Sequence, residues 1–230
     1  MTSEADAISI SIIVPMLNEV RQLPDLMDHL LRWKRRGCEI LLVDGGSCDG
    51  SDLLAECVGF AVINAPRGRA RQMNSGASRA CGDVLLFLHA DTRLPDDMIA
   101  QVQRSIANGY SWGRFDVNIS GHARMLSVIG WMMNFRSRFT SIATGDQAMF
   151  VRKTAFEAMG GFADLPLMED IELSQRLKQR WRPACVSAKV TTSGRRWEVR
   201  GVWRTIFLMW RLRWAYWRGV APEMLAKEYR

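Results

Sequence analysis

The stretch LLFLHADTRL, residues 85–94, joins a run of apolar residues to an abrupt polar end. An apolar run of this length is typical of a strand that is buried on both faces of a sheet. His89 and Asp91 follow the run directly. Because ligands of parallel sheets bind outside the carboxyl ends of the strands, a strand that ends in a carboxylate indicates a ligand at this edge.

Three other apolar stretches precede helical patterns in the first half of the chain. They are ISIIVPM (10–16), EILLVD (39–44) and FAVINA (60–65). Helices are predicted after Pro24, in LLAEC (53–57), in GRARQMNSGASRA (68–80) and in PDDMIAQVQRSI (95–106). The alternation predicts an α/β fold with a mostly parallel central sheet and helices on both faces.

The second half of the chain is less regular. It contains three predicted strands, at 113–120, 146–153 and 184–193, and two long helical patterns, at 124–139 and 169–181. We therefore expect one α/β domain over residues 8–198, followed by a C-terminal helical tail over residues 199–230.

Polar residues end three of the predicted strands, at 15–19, 44–49 and 89–91. All three groups should meet at one edge of the sheet. A carboxylate with free coordination positions, such as Asp91, can hold Mg²⁺ or Mn²⁺ together with phosphate and water oxygens. Solvated or helix-capping acids are the alternative for any one of these residues taken alone.

Two other segments carry candidate groups. Arg67, Arg69 and Arg71 stand beside Gly68 at a helix start, where guanidinium and N–H groups suit phosphate, although a solvated basic turn is an equal alternative. Glu169 and Asp170 stand in the first turn of a helix. The helix dipole alone favours acids there, whereas partial burial would raise a carboxyl pKa and suit a general base.

The composition favours an anionic partner and a reducing compartment. The 230-residue chain has a net charge of +7. Its five cysteines are an odd number and include no C-x-x-C pair, so we expect free thiols and a cytoplasmic protein. The N-terminal segment 1–16 has no basic region of a signal peptide, and no apolar run reaches the roughly 18 residues of a membrane-spanning helix.

Residues 200–220 mix Trp, Phe and Leu with Arg and are predicted to be helical. Such a helix can lie in a membrane interface with its arginines toward lipid phosphates. The alternative is a helix that covers the core with solvated arginines. We expect peripheral contact with an anionic membrane, on the inner face of the cell membrane.

Other protein classes fit the residues less well. An oxidoreductase would need G-x-G-x-x-G after the first strand, where the chain has PMLNEV. A sugar nucleotidyltransferase would need a glycine- and arginine-rich loop there. Binding of nucleic acid agrees with the charge, but acids gathered at strand ends would repel phosphate in the absence of a metal. We expect no nucleic-acid partner.

Taken in order, these motifs resemble the family 2 type of inverting glycosyltransferases, which have the GT-A nucleotide-sugar-binding fold. The matching segments are SIIVPMLNE, VDGGSCDGS, GRARQMNSG, LFLHADT, TGDQAMFVRK and MEDIEL, between residues 11 and 173. LHADT and the later RRWE further resemble a bacterial subgroup associated with radical-SAM and selenium-domain proteins.

The resemblance implies a nucleoside-diphosphate sugar as the donor and a divalent cation, Mn²⁺ or Mg²⁺, as the cofactor. It implies Asp91 as the metal ligand and Asp170, supported by Glu169, as the base that activates an acceptor hydroxyl for a single inverting displacement. His89 stands where the family usually has a further acid. The implied nucleotide- and substrate-binding residues are Pro15, Asn18, Glu19, Asp44, Gly45, Ser47, Asp49, Arg69, Asn74, His89, Ala90, Gly145, Asp146 and Gln147.

The acceptor is not identified by the resemblance, and a lipid-linked acceptor agrees with a tail at the membrane. Because His89 departs from the family pattern, a catalytically weak or inactive, membrane-associated protein that binds nucleotide sugars is the alternative.

Overall fold

A single mixed sheet organises residues 8–229, which are the residues that the computed structural model describes. Residues 1–7, part of the segment in which no signal peptide is expected, and Arg230 lie outside them. The strands are β1 (Ile10–Met16), β2 (Glu39–Asp44), β3 (Ala61–Asn64), β4 (Val84–Phe87), β5 (Thr92–Arg93), β6 (Trp112–Ser120), β7 (Phe150–Arg152) and β8 (Ala184–Ser193).

Helices connect the strands and form the C-terminal tail. They are α1 (Leu23–Arg35), α2 (Ser51–Cys57), α3 (Arg69–Arg79), α4 (Met98–Ala107), α5 (Met125–Thr140), α6 (Lys153–Ala158), α7 (Glu169–Arg180), α8 (Arg195–Arg200), α9 (Val202–Trp217) and α10 (Pro222–Tyr229), with a 3₁₀ turn at Gly145–Gln147.

The strand order is β3-β2-β1-β4-β7-β6-β8-β5. The first four strands in this order are parallel, as the sequence predicts. β7 is antiparallel to both β4 and β6, and β5 is antiparallel to β8, whereas β6 and β8 are parallel. The sheet is therefore mixed, and its parallel half is the part that the alternating pattern predicts.

Apolar side chains cover both faces of the sheet. Along β1, Ile12 and Val14 belong to one buried cluster, which also contains Leu26 of α1. Ile13 points to the other face and packs in a second cluster with Met73 of α3. Burial on both faces explains why the strands read as continuous apolar runs rather than alternating ones.

A glycine allows helix α3 to lie close against the sheet. A Cβ atom at Gly76 would be 2.5 Å from the Ile13 side chain and 3.0 Å from that of Val43. Only glycine leaves room for this approach. The close packing fixes the start of α3, and with it Arg69, relative to the ends of β1 and β2.

The C-terminal tail folds as three helices, α8 to α10, and begins at Arg195, four residues before the predicted boundary at residue 199. Gly201, with φ of 85°, separates α8 from α9. Leu212 of α9 and Leu225 of α10 are buried together with Ile142, Met168 and Ile171, so the tail packs against the start of α7. Among residues 8–229, no helix has both the length and the apolar character that crossing a membrane requires.

Candidate active site

The three polar strand ends meet at one edge of the sheet, which confirms that prediction. Met16 of β1 pairs with Asp44 of β2, and the Leu88 N–H after β4 donates to the Ile13 carbonyl at 3.0 Å. Burial raises the pKa of Glu19, and the nearby charge of Asp91 raises that pKa further. Glu19 and Asp91 follow different strands but line the same cavity at this edge.

A cavity of about 500 Å³ opens above this edge. Most of the predicted site residues line it, although they come from distant parts of the chain. They are Pro15, Glu19, Arg69, His89, Ala90, Asp91, Gly145, Asp146, Glu169 and Asp170. We call the five of these at the ends of β1 and β4 the strand-end wall: Pro15 near the end of β1, Glu19 after it, and His89, Ala90 and Asp91 after β4.

The predicted residues after β2 lie outside the cavity lining and form a connected framework. Asp44 is buried, and its carboxylate accepts the N–H groups of Gly46 and Ser47 at 2.8 Å each. The Ser47 hydroxyl accepts the Asn18 N–H at 2.9 Å, and Asp49 accepts the Val20 N–H at 3.1 Å. These bonds join the β2 loop to the β1 loop, and direct contact with a nucleotide stays a prediction.

Gly45 also has a packing role in this framework. A Cβ atom there would be 3.0 Å from the Gln72 side-chain amide, which donates to the Met16 and Val43 carbonyls at 2.8 Å each. Gln72 thus ties α3 to the ends of β1 and β2. Its role could not be read from the helical pattern alone.

Asn74 and Gln147 lie away from the cavity lining too. The Asn74 amide exchanges two hydrogen bonds with the Phe162 backbone, at 2.8 and 2.9 Å. Gln147 is fully buried and accepts the Thr144 N–H at 3.2 Å. Both side chains hold loops in place, and their predicted contact with substrate stays a prediction.

His89 connects the strand-end wall to the loop before β7. Its Nδ1 lies 3.3 Å from Asp146 Oδ1, and its ring packs so tightly on Gly145 that a Cβ atom there would be 2.2 Å from Nε2. The Gly145 N–H in turn donates to Asp170 Oδ2 at 2.7 Å. The histidine in place of the usual acid therefore positions the turn that orients Asp170.

Glu169 and Asp170 begin α7 after Met168, whose φ of 71° is left-handed. The Glu169 carboxylate is buried, with Arg69 Nη1 3.6 Å away. Burial raises the pKa of Glu169, and the adjacent Asp170 charge raises that pKa further. Asp170 itself accepts the N–H groups of Gly145 and Ile171 at 2.7 Å each, which fixes its orientation at the cavity.

Asp91 offers a hard oxygen ligand at the cavity. Within residues 8–229, no three His, Cys, Asp or Glu side chains form a group that could hold a metal ion. However, Mg²⁺ commonly binds through one or two carboxylates and completes its shell with substrate phosphates and water. Asp91 and Glu19 both line the cavity and are donors of the kind that such a cation takes.

The tail supplies a wall that the predicted site did not include. We call these cavity-lining residues the tail wall: Arg195, Arg196, Trp197, Val199, Arg200, Thr205, Met209, Leu212, Arg213 and Tyr229. The sequence offered one signal, RRWE, but only as part of the family resemblance. Nothing local in the sequence indicates that α9 folds back over the strand ends.

Arg213 differs from the expectation that the tail arginines face lipid or solvent. It lines the cavity with Asp170, and burial lowers its pKa while the Asp170 charge acts in the opposite direction. Burial also lowers the pKa of Arg136 on α5 to about 10, and the charge of Arg213 contributes to this shift. Arg213 thus shares the lining of the cavity with Asp170.

The family model described as Glycosyl transferase family 2 matches residues 11–159, more than half of the 230 residues. The chain therefore belongs to glycosyl transferase family 2, as the motif order indicated.

Curated relatives include undecaprenyl-phosphate 4-deoxy-4-formamido-L-arabinose transferases. The protein of Pectobacterium carotovorum is 32% identical over 116 residues, which are 46% of this chain and 36% of that protein. The protein of Sodalis glossinidius is 27% identical over 173 residues, which are 70% of this chain and 49% of that protein. The chain thus spans half or less of the length of these two relatives.

Solved structures of low sequence identity share the fold. The S. aureus protein TarS in complex with UDP has a TM-score of 0.66 at 16% identity, over 81% of this chain and 60% of TarS. The mannosyltransferase PcManGT from Pyrobaculum calidifontis, in complex with GDP-Man and Mn²⁺, has a TM-score of 0.65 at 18% identity, over 92% of this chain and 62% of PcManGT. The predicted GT-A type of α/β fold is confirmed.

Proposed function

We propose that this chain transfers a sugar from a nucleoside-diphosphate sugar to an acceptor hydroxyl with inversion at the anomeric carbon. One observation carries the proposal: Asp91 and Asp170, from distant segments, line one cavity. A displacement of this type needs a base for the acceptor and a positive charge for the leaving group, and these two groups occupy separate positions in the cavity.

Asp170 acts as the base. It takes the proton of the acceptor hydroxyl while that oxygen forms a bond to the anomeric carbon, and the bond from this carbon to the diphosphate oxygen breaks. The N–H groups of Gly145 and Ile171 hold the carboxylate in place at 2.7 Å each. Glu169 supports Asp170 as its neighbour. Burial raises the pKa of Glu169, so this carboxyl takes up a proton more readily than an exposed one does.

Asp91, with Glu19 beside it, would hold a divalent cation, Mn²⁺ or Mg²⁺. When bound, the cation neutralises charge on the departing diphosphate. Arg69, Arg195 and Arg196 also line the cavity and suit phosphate oxygens, since guanidinium groups form charge-assisted hydrogen bonds. The mannosyltransferase PcManGT, whose complex contains Mn²⁺ and GDP-Man, supports this proposal by its fold.

The acceptor is lipid-linked: the group that receives the sugar is attached to a lipid through a phosphate. The names of the curated relatives pair a sugar with undecaprenyl phosphate. In this chain, α9 exposes five aromatic side chains at alternating spacings of four and three residues, each more than half exposed. They are Trp203, Phe207, Trp210, Trp214 and Trp217. Such a stripe suits peripheral contact with an anionic membrane, on the cytoplasmic side.

A second candidate nucleophile is a phosphate oxygen of the lipid itself. Arg213, which lines the cavity with Asp170, favours it, because a guanidinium group suits an anionic acceptor. A phosphate is largely ionised at neutral pH and needs no base. Retention of turnover by an Asp170→Asn variant would select this candidate.

The decisive experiment is a thermal-shift screen of nucleoside diphosphates and their sugars, with and without Mn²⁺ or Mg²⁺. We expect one nucleotide to raise the melting temperature only when a cation is present. A shift by no nucleotide under any condition would contradict the donor assignment. Assays of transfer and of donor hydrolysis then separate an active enzyme from the alternative, a weak or inactive nucleotide-sugar-binding protein.

The membrane contact has its own test. The intact chain should float with anionic liposomes, and a chain that binds nucleotide but does not float contradicts the contact.

Membership of the bacterial subgroup associated with radical-SAM and selenium-domain proteins is proposed on LHADT and RRWE alone.

A further inference from the structure

A second cleft, of about 730 Å³, lies among the three tail helices. Its lining joins the end of α8, one side of α9 and the end of α10. The residues are Arg200, Arg204, Thr205, Phe207, Leu208, Arg211 and Glu228. We call this cleft the tail groove.

The tail groove combines positive charge with apolar surface. Three guanidinium groups line it and only one carboxylate, that of Glu228, which forms an ion pair with Arg211. Phe207, which is 64% exposed, and Leu208 supply its apolar side. A ligand that satisfies both features carries an anionic group joined to an apolar chain.

The tail groove adjoins the active-site cavity. Arg200 and Thr205 line both spaces. The Thr205 side chain is buried and donates to the Gly201 carbonyl at 2.8 Å, so the partition between the two spaces is a packed part of the tail. A molecule in the tail groove therefore lies on the other side of this partition from the cavity that Asp170 lines.

The outer side of the tail groove belongs to the aromatic stripe of α9. Phe207 lines the groove and is also a member of that stripe. Arg204 and Arg211 of α9 and Arg218 directly after it are exposed, at intervals of seven residues. A surface that places aromatic rings and arginines side by side is suited to the headgroup region of a membrane, which makes a lipid the natural occupant.

We propose that the tail groove binds the phosphate and the first part of the chain of a lipid-borne acceptor. This inference rests on the proposed function, in which the acceptor arrives from the membrane. Arg204 and Arg200 hold the phosphate, and the apolar chain leaves over Phe207 toward the bilayer. The anionic headgroup competes with Glu228 for Arg211.

The test measures binding of the full chain to neutral phosphatidylcholine vesicles that contain a polyprenyl phosphate, or the same mole fraction of phosphatidylglycerol. Arg204→Gln removes a groove arginine, and Arg218→Gln is the matched control. Arg218 is exposed directly after the same helix, and its guanidinium stacks 5.1 Å from the centre of the Trp214 ring, outside the groove.

We expect Arg204→Gln to weaken binding to polyprenyl-phosphate vesicles roughly ten- to a hundredfold, the effect of a lost charge-assisted hydrogen bond. Arg218→Gln should weaken binding to both anionic vesicles about fivefold, as the loss of one surface charge does. Equal losses for the two variants on both vesicles would mean general surface charge and overturn the groove. Equal competition by inorganic phosphate would mean a site for free anions and overturn it too.

A parallel measurement separates this inference from the proposed function. Binding of nucleoside diphosphate with Mn²⁺ is recorded on the same preparations. If nucleotide binds and the two arginine variants lose vesicle binding equally, the groove is rejected and the proposed transferase function is retained. Selective loss in Arg204→Gln without any nucleotide binding or sugar transfer supports a lipid-phosphate groove and rejects the transferase.

Discussion

The strand-end wall and the tail wall enclose one cavity, yet they are encoded in different ways. The strand-end wall follows buried parallel strands, whose direction alone brings Glu19 and Asp91 to the same edge. The tail wall depends on how α9 packs, through Leu212, against residues near α7. The first wall carries carboxylates, and the charged residues of the second wall are arginines. The acids of the strand-end wall are therefore placed by the topology of the sheet, and these arginines by the packing of the tail.

The largest expected effect tests the acidic side of the cavity. Asp170→Asn should lower kcat roughly 10²- to 10⁴-fold, the usual contribution of a general base, while leaving donor binding intact. The amide oxygen can still accept the Gly145 N–H, so the turn should keep its position. Steady-state kinetics with a nucleotide-binding assay checks both parts. Glu172→Gln, on the same helix and paired with Arg176, is the control that should keep turnover.

Asp91→Asn tests whether the strand-end wall needs a cation. We expect cation-dependent nucleotide binding to fall more than about a hundredfold, since even residues that only support a metal ligand are worth 10- to 100-fold. Calorimetry with and without Mn²⁺ measures the change. Asp96→Asn removes an exposed acid that pairs with Arg32 and should bind as the wild type does. Equal cation dependence in Asp91→Asn and the wild type would contradict the ligand assignment.

The strand-end wall could be predicted because its signals are local. Each strand shows as a short apolar run, and the polar residue that ends it is the site residue, as with Asp91. The same reasoning placed Glu169 and Asp170 at a helix start, which the structure confirms. The sequence predicts a fourth strand over residues 83–91 that ends in the Asp91 carboxylate, and this prediction is too long. β4 ends at Phe87 and the chain then turns, with the Thr92 N–H donating to the His89 carbonyl.

The tail wall could not be predicted, since its position is a long-range packing result. An arginine such as Arg213 reads in sequence as one charge among many, and only the burial of Leu212 shows which side of α9 faces inward. The aromatic stripe has the opposite character: its spacing is visible in the sequence, but only the structure shows that it is exposed. The sequence thus shows which residue types the tail contains, and the structure shows which of them face the cavity and which are exposed.

Leu212→Ala tests whether the tail wall is a packed part of the domain. Leu212 is fully buried, so its truncation should cost about 2–4 kcal/mol and lower the melting temperature by roughly 5–15 °C. The exposed Leu53 provides the control, because Leu53→Ala should change stability by less than about 0.5 kcal/mol. An unchanged cooperative transition in Leu212→Ala would instead indicate that residues 199–230 form a separate unit.

Gly145→Ala tests the link between the two ends of the site. The new methyl group would lie 2.2 Å from His89 Nε2, so the histidine ring must move and the turn that orients Asp170 must shift. We expect a loss in kcat of about 10- to 100-fold, as for a misplacement near 1 Å. The double variant Gly145→Ala/His89→Ala makes room for the methyl group and should recover part of the loss. Purely additive losses in this cycle would contradict the coupling.

The smallest effect concerns the charge of Glu169. Its pKa is raised by burial and by Asp170, so the folded protein holds a proton there more readily than the unfolded chain does. Stability should therefore fall as the pH rises through the carboxyl range, and above it the buried charge opposes folding. The Glu169→Gln side chain carries no charge, so this variant should melt higher than the wild type near neutral pH. We expect a difference of roughly 2–4 °C, which is what 1 kcal/mol gives in a domain of this size, and we expect it to vanish in acid.

Melting curves across pH measure this difference, and the exposed Glu157→Gln should show no such trend. A lower melting temperature for Glu169→Gln at neutral pH would mean that the ion pair with Arg69, 3.6 Å away, outweighs burial, and that this arginine from α3 stabilises the acidic start of α7.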